Sequence, residues 1–249
     1  MVEMFSNPQF WVAVLQIIAI DLLLSGDNAV VIALACRNLP PEQRRKGVMF
    51  GVVGAISLRV ILTFFAVGLL TLPYIKIVGA VLLIWIGIKL IAPQEEHSGT
   101  HIEANTHLWS AVKTIIVADF VMSLDNVIGV AAAAKGDFAL LIFGLVISIP
   151  MIMWSSQLIL KFMDRFPIII VVGGVLLGFV AGEMLLSDML VKQWVEGQPH
   201  WLHWLVPASG ALMVTVAGKW LARRKSDTAK AITLIDKRAS EVSDKARKG

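Results

Sequence analysis

Seven stretches of apolar residues, each about twenty long or more, divide this chain at residues 10–36, 47–72, 73–92, 110–134, 138–160, 167–187 and 201–221. A stretch of that length crosses a hydrocarbon core of ~30 Å as a single helix, whereas the core helices of soluble proteins are shorter. Inside lipid the backbone must satisfy its own hydrogen bonds, so these segments are expected to be helices rather than loops or open strands. Composition agrees: 57% of the 249 residues are hydrophobic and 16% are charged, with a mean hydropathy of +0.77, so water cannot be the main solvent. The expected fold is all-α and integral to a membrane, with seven transmembrane helices.

The basic pI near 9.3 does not point to nucleic acid, because the cations lie between the apolar spans rather than along one face. The loop from Arg37 to Lys46 carries four, Lys161 and Arg165 add two, and the tail from Arg223 holds nine among four acids. Positive charge gathers on the cytoplasmic side of short loops, so these segments are expected in the cytoplasm, with the N-terminus outside and the C-terminus inside. The start, MVEMFSNPQFW, has no basic leader and no small-residue cleavage site, so the first span is expected to be retained. The single cysteine, Cys36, rules out an internal disulfide and a multi-thiolate metal site.

The first and fourth spans repeat one another. DLLLSGDNAVVIALA from Asp21 aligns with DFVMSLDNVIGVAAA from Asp119 at an offset of 98, matching aspartate, serine, aspartate and asparagine. FGVVGAIS from Phe50 parallels FGLVISIP from Phe143, and IVGAVLL from Ile77 parallels VVGGVLL from Val171. Each repeat holds three spans, an odd number, so the second copy must cross in the opposite sense, as in many secondary transporters. The expected organisation is a short outer N-terminus (1–9), repeat 1 (10–92), a polar cytoplasmic loop (93–109), repeat 2 (110–188), an outer loop with the seventh span (189–221) and a basic cytoplasmic tail (222–249). The polar loop PQEEHSGTHIEANTHL is expected to be solvated, with His97 and His101 spaced for one helix face as an alternative metal contact.

Asp21 and Asp27 flank the middle of the first span, and Asp119 and Asp125 that of the fourth. At ~1.5 Å per residue all four fall within roughly 6 Å of the bilayer midplane. Acids at that depth cost several kcal/mol and usually mark an ion pathway. A bracing role is the competing reading, with Arg59 neutralising one acid and Lys89 or Lys113 another. Asp21, Ser25 and Asn28 share one helical stripe and Asp27 lies about 120° away, so unwinding at Ser25 and Gly26 would let both acids converge; Leu124 stands at that place in the second copy. Carboxylates, carboxamides and hydroxyls without histidine or cysteine make a hard-oxygen site suited to Mn²⁺, Mg²⁺ or Ca²⁺. Four carboxylates exceed one divalent charge, so protons or Arg59 are expected to share the negative charge. Glu183 on the sixth span is expected toward the outer side, as a relay or as a locally hydrogen-bonded partner. Gly174, Gly178 and Gly182, four apart, allow close helix approach.

At these two motifs the sequence resembles the TerC family of membrane proteins, and DLLLSGDNAVVIALACR resembles its YjbE branch. The likeness covers roughly Phe10 to Leu221. The family is similar to lysine-exporter-like carriers, and members are linked to manganese efflux or, by name, to tellurium resistance. The resemblance implies export of Mn²⁺, with Asp21, Asp27, Asn28, Asp119, Asp125 and Asn126 as ligands, Ser25 and Ser123 in support, and Arg59 and Glu183 in charge compensation or relay. No resident cofactor and no enzymatic activity are expected. The expected partners are the bilayer and the divalent ion as cargo, with a homo-oligomer an open option.

Competing readings are a carrier for another small solute, a helper in membrane-protein assembly or metallation, and an intramembrane aspartyl protease. An oxyanion would meet the wrong sign in a ring of acids, and the duplicated asparagines and serines have no role in peptide cleavage. Topology gives the first test. Cysteines placed near Gln43 and in the tail should label only from the cytoplasm, and one near Asp137 only from outside; labelling of Gln43 and Asp137 from the same side would exclude inverted repeats.

Overall fold

The computed structural model describes residues 8–24, 26–70, 72–92, 101–134 and 137–224, and within them every regular element is an α-helix. The candidate His97 contact, Ser25, the Asp125 side chain and the basic tail from residue 225 lie outside the described parts. In chain order the helices are α1 (Pro8–Leu24), α2 (Gly26–Cys36), α3 (Pro41–Leu70), α4 (Ile75–Ile91), α5 (His101–Ala134), α6 (Phe138–Arg165), α7 (Ile168–Leu186), α8 (Met189–Glu196) and α9 (Leu202–Arg224).

Five of these, α3, α5, α6, α7 and α9, contain segments long and apolar enough to cross a membrane. The pair α1 and α2, bent by 54° at their junction, makes a sixth when taken as one broken span. The expected third span is present as α4, but its 17 residues reach only about 26 Å at ~1.5 Å per residue, short of a ~30 Å core. The chain is thus a multi-pass, all-helical membrane protein with five to six candidate spans. One boundary moves: α5 begins at His101, nine residues before the expected start at Ser110, because HIEANTHLW contains no glycine or proline to interrupt the helix.

Local chemistry explains the helix starts. Asp137 caps α6 by accepting the N–H groups of Ala139 and Leu140 at 2.9 and 3.1 Å, and Asp188 caps α8 through Leu190 at 3.1 Å. Pro41 opens α3 at a position where its missing N–H costs nothing. The turn into α4 places Tyr74 at φ 67, left-handed backbone rarely adopted outside glycine.

The outer surface is apolar. Leu23 is 83% exposed and Trp154 70%, an arrangement that lipid tolerates and water does not. Inside, α5 lies along α3, α6 along α1 and α2, and α4 along α7, while α1 and α2 also meet α5. The sequence duplication recurs in this packing. A Cβ on Gly51 of α3 would lie 2.5 Å from Ile115 of α5, and one on Gly144 of α6 would lie 2.6 Å from Ile17 of α1. Gly51 aligns with Gly144, and Ile17 with Ile115. Where α7 crosses α9 the approach is backbone to backbone: a Cβ on Gly178 would strike the Gly210 carbonyl and Ala211, and one on Gly182 would strike Pro207.

Because no side chain can yield at the α7–α9 crossing, Gly178→Ala is expected to destabilise the protein by about 1–3 kcal/mol. At Gly26 nothing lies within 4 Å of the added carbon, so Gly26→Ala should change stability by less than about 1 kcal/mol. Thermal unfolding in detergent of the two variants beside the unsubstituted protein checks the contrast.

Candidate functional site

α3 carries Arg59, 1% exposed, into the interior beside α5 and within reach of Asp21 on α1. A guanidinium in that position needs its five N–H donors satisfied. Its Nη1 donates to Asp21 Oδ1, its Nη2 to Asp119 Oδ1 at 2.7 Å and its Nε to Ser123 Oγ at 3.1 Å. Asp119 and Ser123 are four residues apart on α5 and face α3 together. The Ser123 hydroxyl in turn donates to Asp119 Oδ2 at 3.1 Å, and the Asn28 carboxamide donates to Asp119 Oδ1 at 2.9 Å. One arginine from the second span therefore ties together the leading acid of each motif copy, with an asparagine and a serine completing the donor set.

Asp27 stands apart from this ion pair. It is half-buried in the first turn of α2, where the helix dipole favours a negative charge, and its Oδ1 accepts the Asn28 N–H at 2.9 Å. Asn28, 4% exposed, spends its amino group on Asp119, and among the described residues its Oδ1 has no hydrogen-bond partner. Asn126, its counterpart in the second copy, does not mirror it. The Asn126 carboxamide donates at 2.8 Å to the carbonyl of Leu24, the last residue of α1, which the break in that span removes from the helical ladder. The two copies also differ in continuity: α5 runs without interruption through Leu124, the residue aligned with Gly26.

Of the six residues expected as one ligand set, the side chains of five are described, and they stand in three places. Asp21, Asp119 and Asn28 join Arg59 and Ser123, Asn126 supports the break, and Asp27 is held by its own helix. Among the described residues no three His, Cys, Asp or Glu side chains are gathered closely enough to hold a metal ion. Lys89 does not serve these acids; its ammonium lies over the Trp85 ring, 5.2 Å from the centroid. Glu183 is remote from them and lines a cavity at the far end of α7. The position aligned with Arg59 in the second repeat is Ile152, 4% exposed, so nothing mirrors the guanidinium.

At the start of α3, Arg44 closes the turn that follows α2. It donates to the carbonyls of Arg37 and Leu39 at 2.7 and 3.0 Å and pairs with Asp164 at the end of α6 at 2.7 Å.

A multi-pass helical membrane protein with charged groups buried between two copies of one motif is the class this architecture defines. The chain belongs to the integral membrane protein TerC family, whose model matches residues 6–226. It is 42% identical over 179 residues to the uncharacterized membrane protein YjbE of Bacillus subtilis (strain 168), covering 72% of this chain and 81% of that protein. It is 28% identical over 192 residues to the uncharacterized membrane protein YceF of the same organism, covering 73% and 74%. The UPF0053 inner membrane protein YoaE of Escherichia coli (strain K12) is 24% identical over 187 residues, 68% of this chain and 36% of its own length. No solved structure matches the chain.

Removing Arg59 leaves two carboxylates facing each other out of water. Arg59→Met should therefore destabilise the protein by about 3–5 kcal/mol, and adding Asp21→Asn and Asp119→Asn to it should recover a large part of the loss. Asp164→Asn breaks an ion pair whose side chains are 27% and 55% exposed and should cost no more than about 1 kcal/mol. Unfolding midpoints of the single, triple and surface variants provide the comparison.

Proposed function

We propose that this protein is a transporter that exports a hard divalent cation, Mn²⁺, from the cytoplasm across a bacterial-type plasma membrane. It crosses that membrane seven times, as two inverted three-helix repeats and a C-terminal helix, with the N-terminus outside. The observation that carries the reading is the buried meeting of both motif copies, Asp21 from one and Asp119 and Ser123 from the other, at a depth where ionisable groups are retained for ion movement. The matched contacts of Gly51 with Ile115 and Gly144 with Ile17 support the repeat architecture, and the 54° bend of the first span supports a discontinuous helix of the kind that lines transporter ion sites.

In this reading Asp21 and Asp119 hold Arg59 and set the distance between the two halves. Asp27, Asp125 and the Asn28 Oδ1 receive the cation, with the Leu24 region and Asn126 shaping its entry. All of these ligands are oxygen, which suits Mn²⁺ better than zinc or copper. One guanidinium does not balance four aspartates, so the emptied site takes up protons, and metal is released outward as they bind.

Inside-out vesicles containing the purified protein test this directly. Mn²⁺ should accumulate in preference to Mg²⁺, Ca²⁺, Zn²⁺ and Fe²⁺, and a trapped pH dye should report protons moving the other way. Asp27→Asn combined with Asp125→Asn should lower Mn²⁺ flux at least about tenfold with normal expression, while Ser25→Ala is milder. Unchanged flux in the double variant would remove these residues from the ion path, and full flux without proton movement would make the protein a uniporter.

A further inference from the structure

At the end of α7 remote from Arg165, the helices α4, α7 and α8 and the start of α9 line an open cavity of about 660 Å³, within the ~300–1,000 Å³ typical of small-molecule sites. Its wall carries two ammonium groups, Lys76 and Lys192, and two carboxylates, Glu183 and Glu196, beside the apolar rings of Phe179 and Trp204. Lys76 donates to Ser187 Oγ at 3.4 Å, while Glu183, Lys192 and Glu196 form no ion pair with another described residue, so these three bring charges of both signs to one space without closing on each other.

The surroundings fix the depth of this cavity. Trp194, Trp201 and Trp204 are all exposed around it, as in the aromatic belts that sit at lipid headgroup level. α8, eight residues long and too short to span, exposes Met189, Leu190 and Trp194 and turns Val195 inward, the pattern of a helix lying in the interface. We propose that the cavity binds the headgroup of a zwitterionic aminophospholipid, with its phosphate toward Lys76 and Lys192, its primary ammonium toward Glu183 and Glu196, and its chains leaving over Phe179 and Trp204. A primary ammonium offers three donors to the carboxylates. A trimethylammonium offers none, and the glycerol headgroup of phosphatidylglycerol brings no cation to them. The site is separate from the Arg59 cluster and does not depend on which ion the protein carries.

The full-length protein in nanodiscs of equal phosphatidylcholine, phosphatidylethanolamine and phosphatidylglycerol, released into native mass spectrometry, gives the test. One phosphatidylethanolamine should be retained at least about fivefold over either other lipid, a difference of ~1 kcal/mol. Glu183→Gln with Glu196→Gln should abolish the preference over phosphatidylglycerol, and Lys76→Gln with Lys192→Gln should lower retention of both. Unfolding midpoints in phosphatidylcholine alone confirm that each variant is folded. Equal retention of the three lipids, or a preference that survives both double variants, would overturn the assignment. Soluble glycerophosphoethanolamine separates the lipid from a free zwitterion. No displacement up to about 1 mM supports the lipid, and displacement at micromolar concentration assigns the cavity to a water-soluble ligand instead.

Discussion

A guanidinium cannot be left unpaired at membrane depth, and the placement of α1, α3 and α5 follows from that constraint. Arg59 reaches Asp21 on α1 and Asp119 and Ser123 on α5 at the same time, so a shift of any of the three helices by one turn would strand a charge in a medium that solvates it poorly. Replacing such a cluster by apolar side chains of equal volume often stabilises a protein, so its value lies in register rather than in net free energy. Asn28 and the Ser123 hydroxyl add two further donors to Asp119, one on each oxygen, so the register of the three helices is tied to several hydrogen bonds at once.

Around that anchor the helices are held by small residues and by shape. Lipid removes the hydrophobic force between membrane helices, so association rests on close contact, and glycine supplies it where α7 meets α9 and where α3 and α6 receive isoleucines from α5 and α1. The Arg44 contacts add a polar clasp at one chain end, tying the turn after α2 to the end of α6. Rigidity is therefore unevenly distributed. The cluster and the glycine crossings fix the middle, while the first span carries a bend whose freed carbonyl is met by a side chain of the opposite repeat.

Much of this was legible from residue patterns. Apolar length revealed the helices, and an offset of 98 residues revealed that Asp21 and Asp119 are counterparts. What the pattern could not reveal was partnership. Arg59 reads in the sequence as one cation near the middle of a span, and nothing local says that it would bridge both repeats rather than neutralise one acid. Asn28 and Asn126 look interchangeable, yet one meets a carboxylate and the other a backbone carbonyl, because only the first copy breaks. Lys89 and Glu183 align when Ile77 is matched with Val171, and still end in unlike places, over Trp85 and in a cavity. The early start of α5 and the short α8 are not legible as apolar runs, because polar residues interrupt the hydrophobic pattern there.

The single guanidinium also makes the two motif copies unequal partners. Two identical halves assembling as a pair would bring either no arginine or two to the shared cluster, against the same two leading aspartates, Asp21 and Asp119. With none, the leading acids repel across the contact; with two, one cation crowds a space that Ile152 now fills. Two unlike halves, whether in one chain or two, can supply an odd number of charges to a site formed by both. With Arg59 on one side and Ile152 on the other, the two copies are no longer interchangeable, and exchanging one for the other would leave the leading acids without their cation.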